Sequence, residues 1–156
     1  MAATSPYFSK KRKLSEPEPL EDLLQIPAET PSLQEYFRTL AETLLNKVEL
    51  VVRAQGKTKR SRILELEIYF QSASHADPFC HAREIQAHPA LWHFHRSGNA
   101  TTTLAGGYRG GTRKGLDVTF GNEQARAGIL LRSLQAEDGT VICGPSKLVE
   151  SVLPFK

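Results

Sequence analysis

Residues 44–70, LLNKVELVVRAQGKTKRSRILELEIYF, contain two runs of alternating apolar and polar residues, separated by a Gln-Gly pair. Successive side chains of a β-strand point to opposite faces, so each run predicts a strand and the Gln-Gly pair predicts the turn between them. The second strand, residues 62–70, has an apolar face consisting of Leu64, Leu66, Ile68 and Phe70. The stretch therefore predicts a β-hairpin.

The opposite face of this second strand carries Glu65, Glu67 and Tyr69. A strand of a water-soluble protein needs only one apolar face, so polar residues opposite the core are expected. An aromatic ring beside two carboxylates is less common there, and it indicates a lined pocket. The alternative for Glu67 is a salt bridge with a neighbouring strand.

The rest of the chain predicts one α+β domain, residues 30–156. Ser32 and Glu35 form a capping-box pair before leucines at helical spacing, which predicts a helix over residues 32–46. Further strands are predicted at residues 91–96, 116–120 and 127–134, and Gly144-Pro145-Ser146 begins a short terminal helix. This order predicts a curved, mainly antiparallel sheet flanked by an N-terminal helix and a short C-terminal helix.

Residues 1–29 are predicted to be a disordered basic and Pro-Glu-rich tail, with a short amphipathic turn at residues 20–26. Since nothing in the tail is expected to join the core, its removal should leave folding intact. The basic run Lys10–Lys13 is typical of a nuclear localisation signal, which predicts a nuclear or cytosolic protein. No apolar stretch resembles a secretory signal or a membrane span, so we expect neither secretion nor a membrane partner.

The net charge is +3, and the basic residues are clustered. The candidate nucleic-acid-binding residues are Lys57, Lys59, Arg60, Tyr108, Arg113 and Lys114. Clustered cations can follow a phosphate backbone, and the alternative is a solvated surface.

All five histidines lie within residues 75–95, together with Asp77 and Cys80. His93 and His95 share a face of one predicted strand, which raises the alternative of a metal-dependent hydrolase. The spacing matches no zinc pattern, however, and we expect neither a metal nor a cofactor. Cys80 and His81 are sequence neighbours whose side chains point apart, and Cys143 is predicted to lie in the core.

Read in order, these segments resemble the alkyladenine (methylpurine) DNA glycosylase family. The hairpin ends in Glu67-Ile68-Tyr69, and Asp77 is followed four residues later by His81. An aromatic strand, LWHFHR, comes next, and GLDVTFG, AGILLRSL and ICGPSKLVE follow in the family's order. The resemblance covers residues 36–152, and it implies that the chain is a compact and divergent member of the family.

The resemblance implies a role for each matching residue. Glu67 would be the general base that activates a water, and Tyr69, His81 and Phe94 would sandwich a flipped base. Arg132 matches an arginine near the pocket, and Asp117 stands where the family has an asparagine that discriminates between purines. Tyr108 is the candidate for the family's intercalating tyrosine.

The expected function is therefore that of a monomeric, monofunctional N-glycosylase that cleaves the glycosidic bond of a flipped, modified purine in base excision repair. DNA is the expected partner, with RNA or a free nucleoside as alternatives. A non-catalytic nucleic-acid or nucleoside binding module on the same fold is the first alternative function, and the metal-dependent hydrolase is the second.

Overall fold

The predicted α+β fold is confirmed by the computed structural model, which describes residues 20–26, 32–96 and 114–153. The elements follow in the order α1 (Leu20–Leu23), α2 (Leu33–Lys47), β1 (Glu49–Ala54), β2 (Lys57–Ser72), a 3-10 helix (Glu84–Ala87), β3 (Trp92–Arg96), β4 (Lys114–Thr119), β5 (Ala125–Ala136), β6 (Val141–Cys143) and α3 (Pro145–Val152). The strands form one antiparallel, curled sheet in the order β1-β2-β5-β4-β3, and β6 pairs with β5.

The predicted helix and hairpin are both present, and local chemistry accounts for their ends. The Ser32 side chain accepts a hydrogen bond from the backbone amide of Glu35 at 3.1 Å, which caps the first turn of α2. Gln55 and Gly56 both have positive φ angles, 50° and 72°, as a two-residue hairpin turn requires. Strand β2 is longer than predicted, because its pairing with β5 extends from Ser61 to Ser72.

One face of the sheet, which we call the apolar face, packs against the two long helices. Helix α2 contributes Tyr36, Leu40 and Leu44 to a cluster with Phe70, Phe120 and other buried residues. Helix α3 covers the neighbouring part of the same face, with Leu148, Val149 and Val152 in a second cluster. Both helices therefore lie on the same face of the sheet, whereas Gln86 of the 3-10 helix lies over Gly128 on the opposite face.

Three sequence expectations are corrected. Leu24 is fully buried in the cluster beneath α2, and Tyr36 donates a hydrogen bond to the Leu23 carbonyl at 3.3 Å. The segment 20–26 thus joins the core, so the expectation that nothing in residues 1–29 joins the core is wrong. Cys143 is exposed on β6, because this short strand lies outside the main sheet order. Leu64, which was expected on the apolar face of the strand, is also exposed. A β-bulge at this position interrupts the alternation of side chains between the two faces of β2.

Several predictions fall on residues outside the described ranges. These are the basic run Lys10–Lys13, Tyr108 and Arg113. Within the described ranges, no helix is long and apolar enough to cross a membrane.

Candidate functional site

The face of the sheet opposite the helices, which we call the polar face, brings together most of the predicted catalytic and base-binding residues. Glu67 on β2 pairs with Leu130 on β5, and Leu130 pairs in turn with Asp117 on β4. Asp117 then pairs with His93 on β3. Residues paired across an antiparallel sheet point to the same face, and neighbouring strands lie about 4.8 Å apart. The Cα atoms of Glu67 and Asp117 are therefore separated by about 10 Å, which is two strand spacings.

Glu67 is held by two neighbours on this face. The Tyr69 hydroxyl donates a hydrogen bond to Oε2 of Glu67, and Nη1 of Arg132 donates to Oε1. Burial raises the pKa of the Tyr69 phenol, and its hydrogen bond to the Glu67 carboxylate raises that pKa further. Tyr69 is therefore an uncharged hydrogen-bond donor at neutral pH, and Glu67 is fixed in one orientation.

Two adjacent β-bulges explain how Arg132 reaches Glu67. Glu65 pairs with Ser133 and Leu66 pairs with Leu131, so Arg132 is an extra residue on β5. Its Nε lies 3.3 Å from Oε1 of Glu65, while its Nη1 contacts Glu67. A bulge redirects a side chain in this way because the extra residue has no partner in the ladder.

Asp117 is the centre of a second group, the Asp117 cluster, which comprises Asp117, His93 and His95. Oδ1 of Asp117 lies 3.1 Å from Nε2 of His95, and Oδ2 lies 3.6 Å from Nδ1 of His93. Burial alone would raise the pKa of the Asp117 carboxyl, but the two imidazoles outweigh that effect and the pKa lies below its ordinary value. Asp117, only 3% exposed, is therefore a buried carboxylate at neutral pH.

Two glycines on the polar face make room for these side chains. A Cβ atom on Gly115 would lie 2.3 Å from Cε1 and 2.4 Å from Nε2 of His95, so the imidazole lies over the bare backbone of Gly115. A Cβ atom on Gly128 would lie 3.0 Å from the amide nitrogen of Gln86 and 3.6 Å from Oδ2 of Asp117. Sequence reasoning did not identify these glycines, because the need for them arises only from pairing between distant strands.

His81 reaches the Asp117 cluster from the loop that follows β2. Its ring meets the His95 ring edge-on, with centroids 5.0 Å apart. Partial burial lowers the pKa of the His81 imidazole and the neighbouring His95 lowers it further, so this ring is neutral at pH 7. Asp77 ties the loop to β2, since its carboxylate accepts hydrogen bonds from the backbone amides of Phe70 and Phe79.

Phe94 does not join the other predicted residues. It pairs with Leu116, whose side chain belongs to the apolar face, and it is 47% exposed at the edge strand. His93 and His95 occupy the polar face instead. The sequence predicted that these two histidines share a face, but it assigned them no role in the glycosylase site.

The predicted nucleic-acid-binding residues within the described ranges lie at the beginning of β2 and of β4. Lys57, Lys59 and Arg60 are exposed at the start of β2, where Arg60 pairs with Glu49 at 3.2 Å. A shallow cleft of about 240 Å³ borders Arg60, and none of the predicted catalytic or base-binding residues lines it. Lys114 forms an ion pair with Glu150 at 3.0 Å.

The metal alternative gains no support from the described residues. Among them, no group of three or more His, Cys, Asp or Glu side chains is arranged to hold a metal ion.

Cys80 is buried, and its Sγ lies 3.5 Å from the Arg126 carbonyl oxygen. Burial raises the pKa of the Cys80 thiol, which disfavours a thiolate nucleophile.

The chain is similar to a protein of Acanthamoeba polyphaga mimivirus that bears the name Uncharacterized protein L759. The two are 35% identical over an alignment of 134 residues, which covers 77% of this chain and 57% of the viral protein. This chain thus spans a little over half the length of that relative. No protein-family profile matches the chain, and no solved structure matches it.

Proposed function

We propose that this protein is an N-glycosylase that releases a modified purine from DNA by attack of a water on the glycosidic carbon. The observation that carries the proposal is the orientation of Glu67, which is held by Tyr69 and Arg132 on the polar face. Asp117, His93 and His95 lie on the same face, at the opposite end of a row that begins with Glu67.

Glu67 is the general base in this proposal. A general base accepts a proton through a carboxylate oxygen, and the Glu67 carboxylate is in direct contact with the Arg132 guanidinium. One lone pair on each carboxylate oxygen remains after the contacts to Tyr69 and Arg132, because a carboxylate can accept about four hydrogen bonds. A water near Glu67 can therefore donate its proton while its oxygen attacks the sugar carbon.

Tyr69 and His81 provide surfaces for the base. Stacking on an aromatic ring contributes about 1–3 kcal/mol per base, and an uncharged ring stacks without the cost of burying a charge. The pKa shifts of Tyr69 and His81 both favour the uncharged form at pH 7. Gly128, which pairs with Tyr69, is covered by the side-chain amide of Gln86. Lys57 is the exposed candidate for a phosphate contact, since the Lys59 ammonium donates a hydrogen bond to the Ser151 carbonyl of α3 at 3.3 Å.

The test is the release of purine bases from oligonucleotides that carry a single alkylated or deaminated purine. Glu67→Gln preserves size and removes the proton acceptor, so the single-turnover rate should fall by about 10²–10⁴-fold while binding persists. Glu65→Gln is the matched control, because Glu65 lies on the same strand and also contacts Arg132. We expect Glu65→Gln to reduce the rate by less than about tenfold. Equal rates for wild type and Glu67→Gln would exclude Glu67 as the base.

A second candidate function is binding without catalysis, and one observation favours it. Both oxygens of Glu67 already have partners, as they would in a purely structural ion pair. In that case wild type and Glu67→Gln bind the modified oligonucleotide but release no base. Glu67→Gln would also unfold at a clearly lower temperature than Glu65→Gln.

A further inference from the structure

The turn end of the β1–β2 hairpin extends beyond the rest of the sheet. Strand β2 pairs with β5 from Ser61 onward, whereas residues 51–60 pair with one another across the hairpin. The part of β2 that precedes Ser61, residues 57–60, has a length of about 13 Å at a rise of about 3.3 Å per residue. Residues 51–60 therefore form a projecting two-stranded segment, which we call the ribbon.

The ribbon and the residues at its base are strongly basic. Residues 51–62 contain no acidic residue, and their five cations are all exposed: Arg53, Lys57, Lys59, Arg60 and Arg62. A carboxylate reaches this surface from the base of the hairpin, where Glu49 forms an ion pair with Arg60 at 3.2 Å. The two side chains are 52% and 47% exposed, so water screens the pair and Arg60 can exchange Glu49 for another anion.

The cations of the ribbon lie on both of its sides. Lys59 pairs with Val52, which packs against the cluster beneath α3, and paired residues share a side of an antiparallel ribbon. Lys57 lies two residues from Lys59 and therefore shares this helix side. Arg53 and Arg60 each follow one of the paired residues, so they lie on the opposite side. A partner that neutralises the ribbon must present anions to both sides.

The residue types of the ribbon select among anionic partners. Proteins hold single-stranded nucleic acids through aromatic rings that stack on the bases, and residues 51–62 contain no aromatic residue. Attachment to a membrane surface uses apolar or aromatic anchors, whereas the tip of the ribbon is the turn of Gln55 and Gly56. A nucleic-acid duplex remains, because the two phosphate backbones that border a groove present anions on two sides.

The dimensions of the ribbon favour one groove of one kind of duplex. Its two strands lie about 4.8 Å apart, and the major groove of B-form DNA, about 12 Å wide, admits a two-stranded β-ribbon. The minor groove is only about 6 Å wide. The major groove of duplex RNA is deep and narrow, and side chains do not reach into it. Size and charge therefore both match the major groove of duplex DNA.

We propose that the ribbon enters the major groove of duplex DNA, with Arg53 and Arg60 on the phosphates of one strand and Lys57 on those of the other. The contacts are to the backbone, so they do not depend on the base sequence. This inference goes beyond the proposed function, because it concerns a duplex without a modified base and includes no catalytic step.

The test measures the affinity of the full-length protein for a short unmodified DNA duplex as the salt concentration is varied. Each phosphate contact that is lost lowers the slope of log affinity against log salt by about 0.9. Arg53→Gln and Lys57→Gln, one from each side of the ribbon, should each lower the slope by about 0.9 and weaken binding about fivefold at about 0.15 M salt. Arg38→Gln is the matched control, since it removes an exposed charge from α2, and it should leave the slope unchanged.

Three further ligands and one small molecule identify the groove. A duplex whose cytosines carry glucosylated 5-hydroxymethyl groups has a filled major groove, so it should bind at least about tenfold more weakly than the unmodified duplex. Duplex RNA and single-stranded DNA should show a loss of about the same size. Netropsin occupies the minor groove, and its addition should leave the affinity for the unmodified duplex unchanged.

Several results would overturn the proposal. Equal affinity for the unmodified and glucosylated duplexes, for duplex RNA or for single-stranded DNA would refute the major-groove contact. An effect of Arg53→Gln without an effect of Lys57→Gln, or the reverse, would also refute it, since a groove contact uses both sides of the ribbon. Unchanged slopes in both variants would show that the ribbon is a solvated surface. Melting temperatures equal to that of the wild type verify that each variant is folded.

The same measurements separate this proposal from the proposed function. Glu67→Gln should bind the unmodified duplex as tightly as the wild type does, because Glu67 lies outside the ribbon. If the wild type releases no base but Arg53→Gln and Lys57→Gln show the expected losses, the glycosylase function fails and the ribbon contact stands. If bases are released and both ribbon variants bind like the wild type, the ribbon contact fails and the glycosylase function stands.

Discussion

Gly115→Ala probes the position of His95 without any assumption about function. The added Cβ would lie 2.3 Å from Cε1 of His95, a separation that real Cβ contacts do not show, so the imidazole must move away. The same Cβ would lie 3.1 Å from a methyl carbon of Leu130, which can shift slightly because it is the end of a side chain. The main consequence is loss of the 3.1 Å contact between His95 and Asp117.

The expected magnitude follows from two opposing effects. A hydrogen bond to a charged group contributes about 1.5–3 kcal/mol to stability, while alanine is favoured over glycine inside a strand by about 0.5–1 kcal/mol. Gly115→Ala should therefore lower the free energy of unfolding by about 1–2 kcal/mol in the wild-type background. In a His95→Ala background the ring is absent, and the same substitution should raise the free energy of unfolding by up to about 1 kcal/mol.

Urea unfolding of the four proteins in this double-mutant cycle measures the coupling. The fluorescence of Trp92, the single tryptophan of the chain, and circular dichroism give two independent probes of unfolding. We expect a coupling energy of at least about 1.5 kcal/mol and a change of sign between the two backgrounds. If Gly115→Ala costs the same with and without His95, the imidazole does not lie over Gly115 and the cluster geometry is refuted.

Two further predictions concern the packing of Leu24 in the core and the loss of stability at acid pH. Leu24→Ala should lower the free energy of unfolding by about 2–5 kcal/mol in urea, because Leu24 is fully buried, whereas Val141→Ala at an exposed position should change it by less than about 0.5 kcal/mol. A small effect of Leu24→Ala would show that segment 20–26 does not pack as described. The folded-state pKa of Asp117 lies below its ordinary value, so the stability it contributes is present above about pH 4 and is lost as the pH falls further. The stability difference between wild type and Asp117→Asn should therefore shrink below about pH 4 in urea titrations, and a difference independent of pH would contradict this assignment.

The local elements were predictable because their signals lie within a few residues of each other. The Ser32 cap, the Gln55-Gly56 turn and the alternation that sets Glu67 and Tyr69 on one face of β2 all follow from near neighbours. Leu24 was not predictable in this way. Its segment is short and follows a Pro-Glu run, and its burial depends on contacts with α2 and the distant strands.

The candidate site was only partly predictable for the same reason. The sequence identified Glu67, Tyr69, His81, Asp117 and Arg132 through a family resemblance, and it placed Glu67 and Tyr69 on one strand face. It did not pair Arg132 with Glu67 or a histidine with Asp117. It assigned Phe94 to the site, whereas the register of β3 with β4 directs Phe94 to the apolar face and His93 and His95 to the polar face.

The amino-acid sequence by itself determined α2, the hairpin and the alternation of residues 65–70 in β2, because side-chain periodicity and capping act over a few residues. Only the tertiary structure decided that Arg132 reaches Glu67 and that His95 reaches Asp117. The first contact depends on an extra residue in β5 opposite β2, and the second depends on the bare backbone of Gly115 beneath a ring on the adjacent strand. Both are consequences of strand register, which is set by the packing of the whole sheet against α2 and α3.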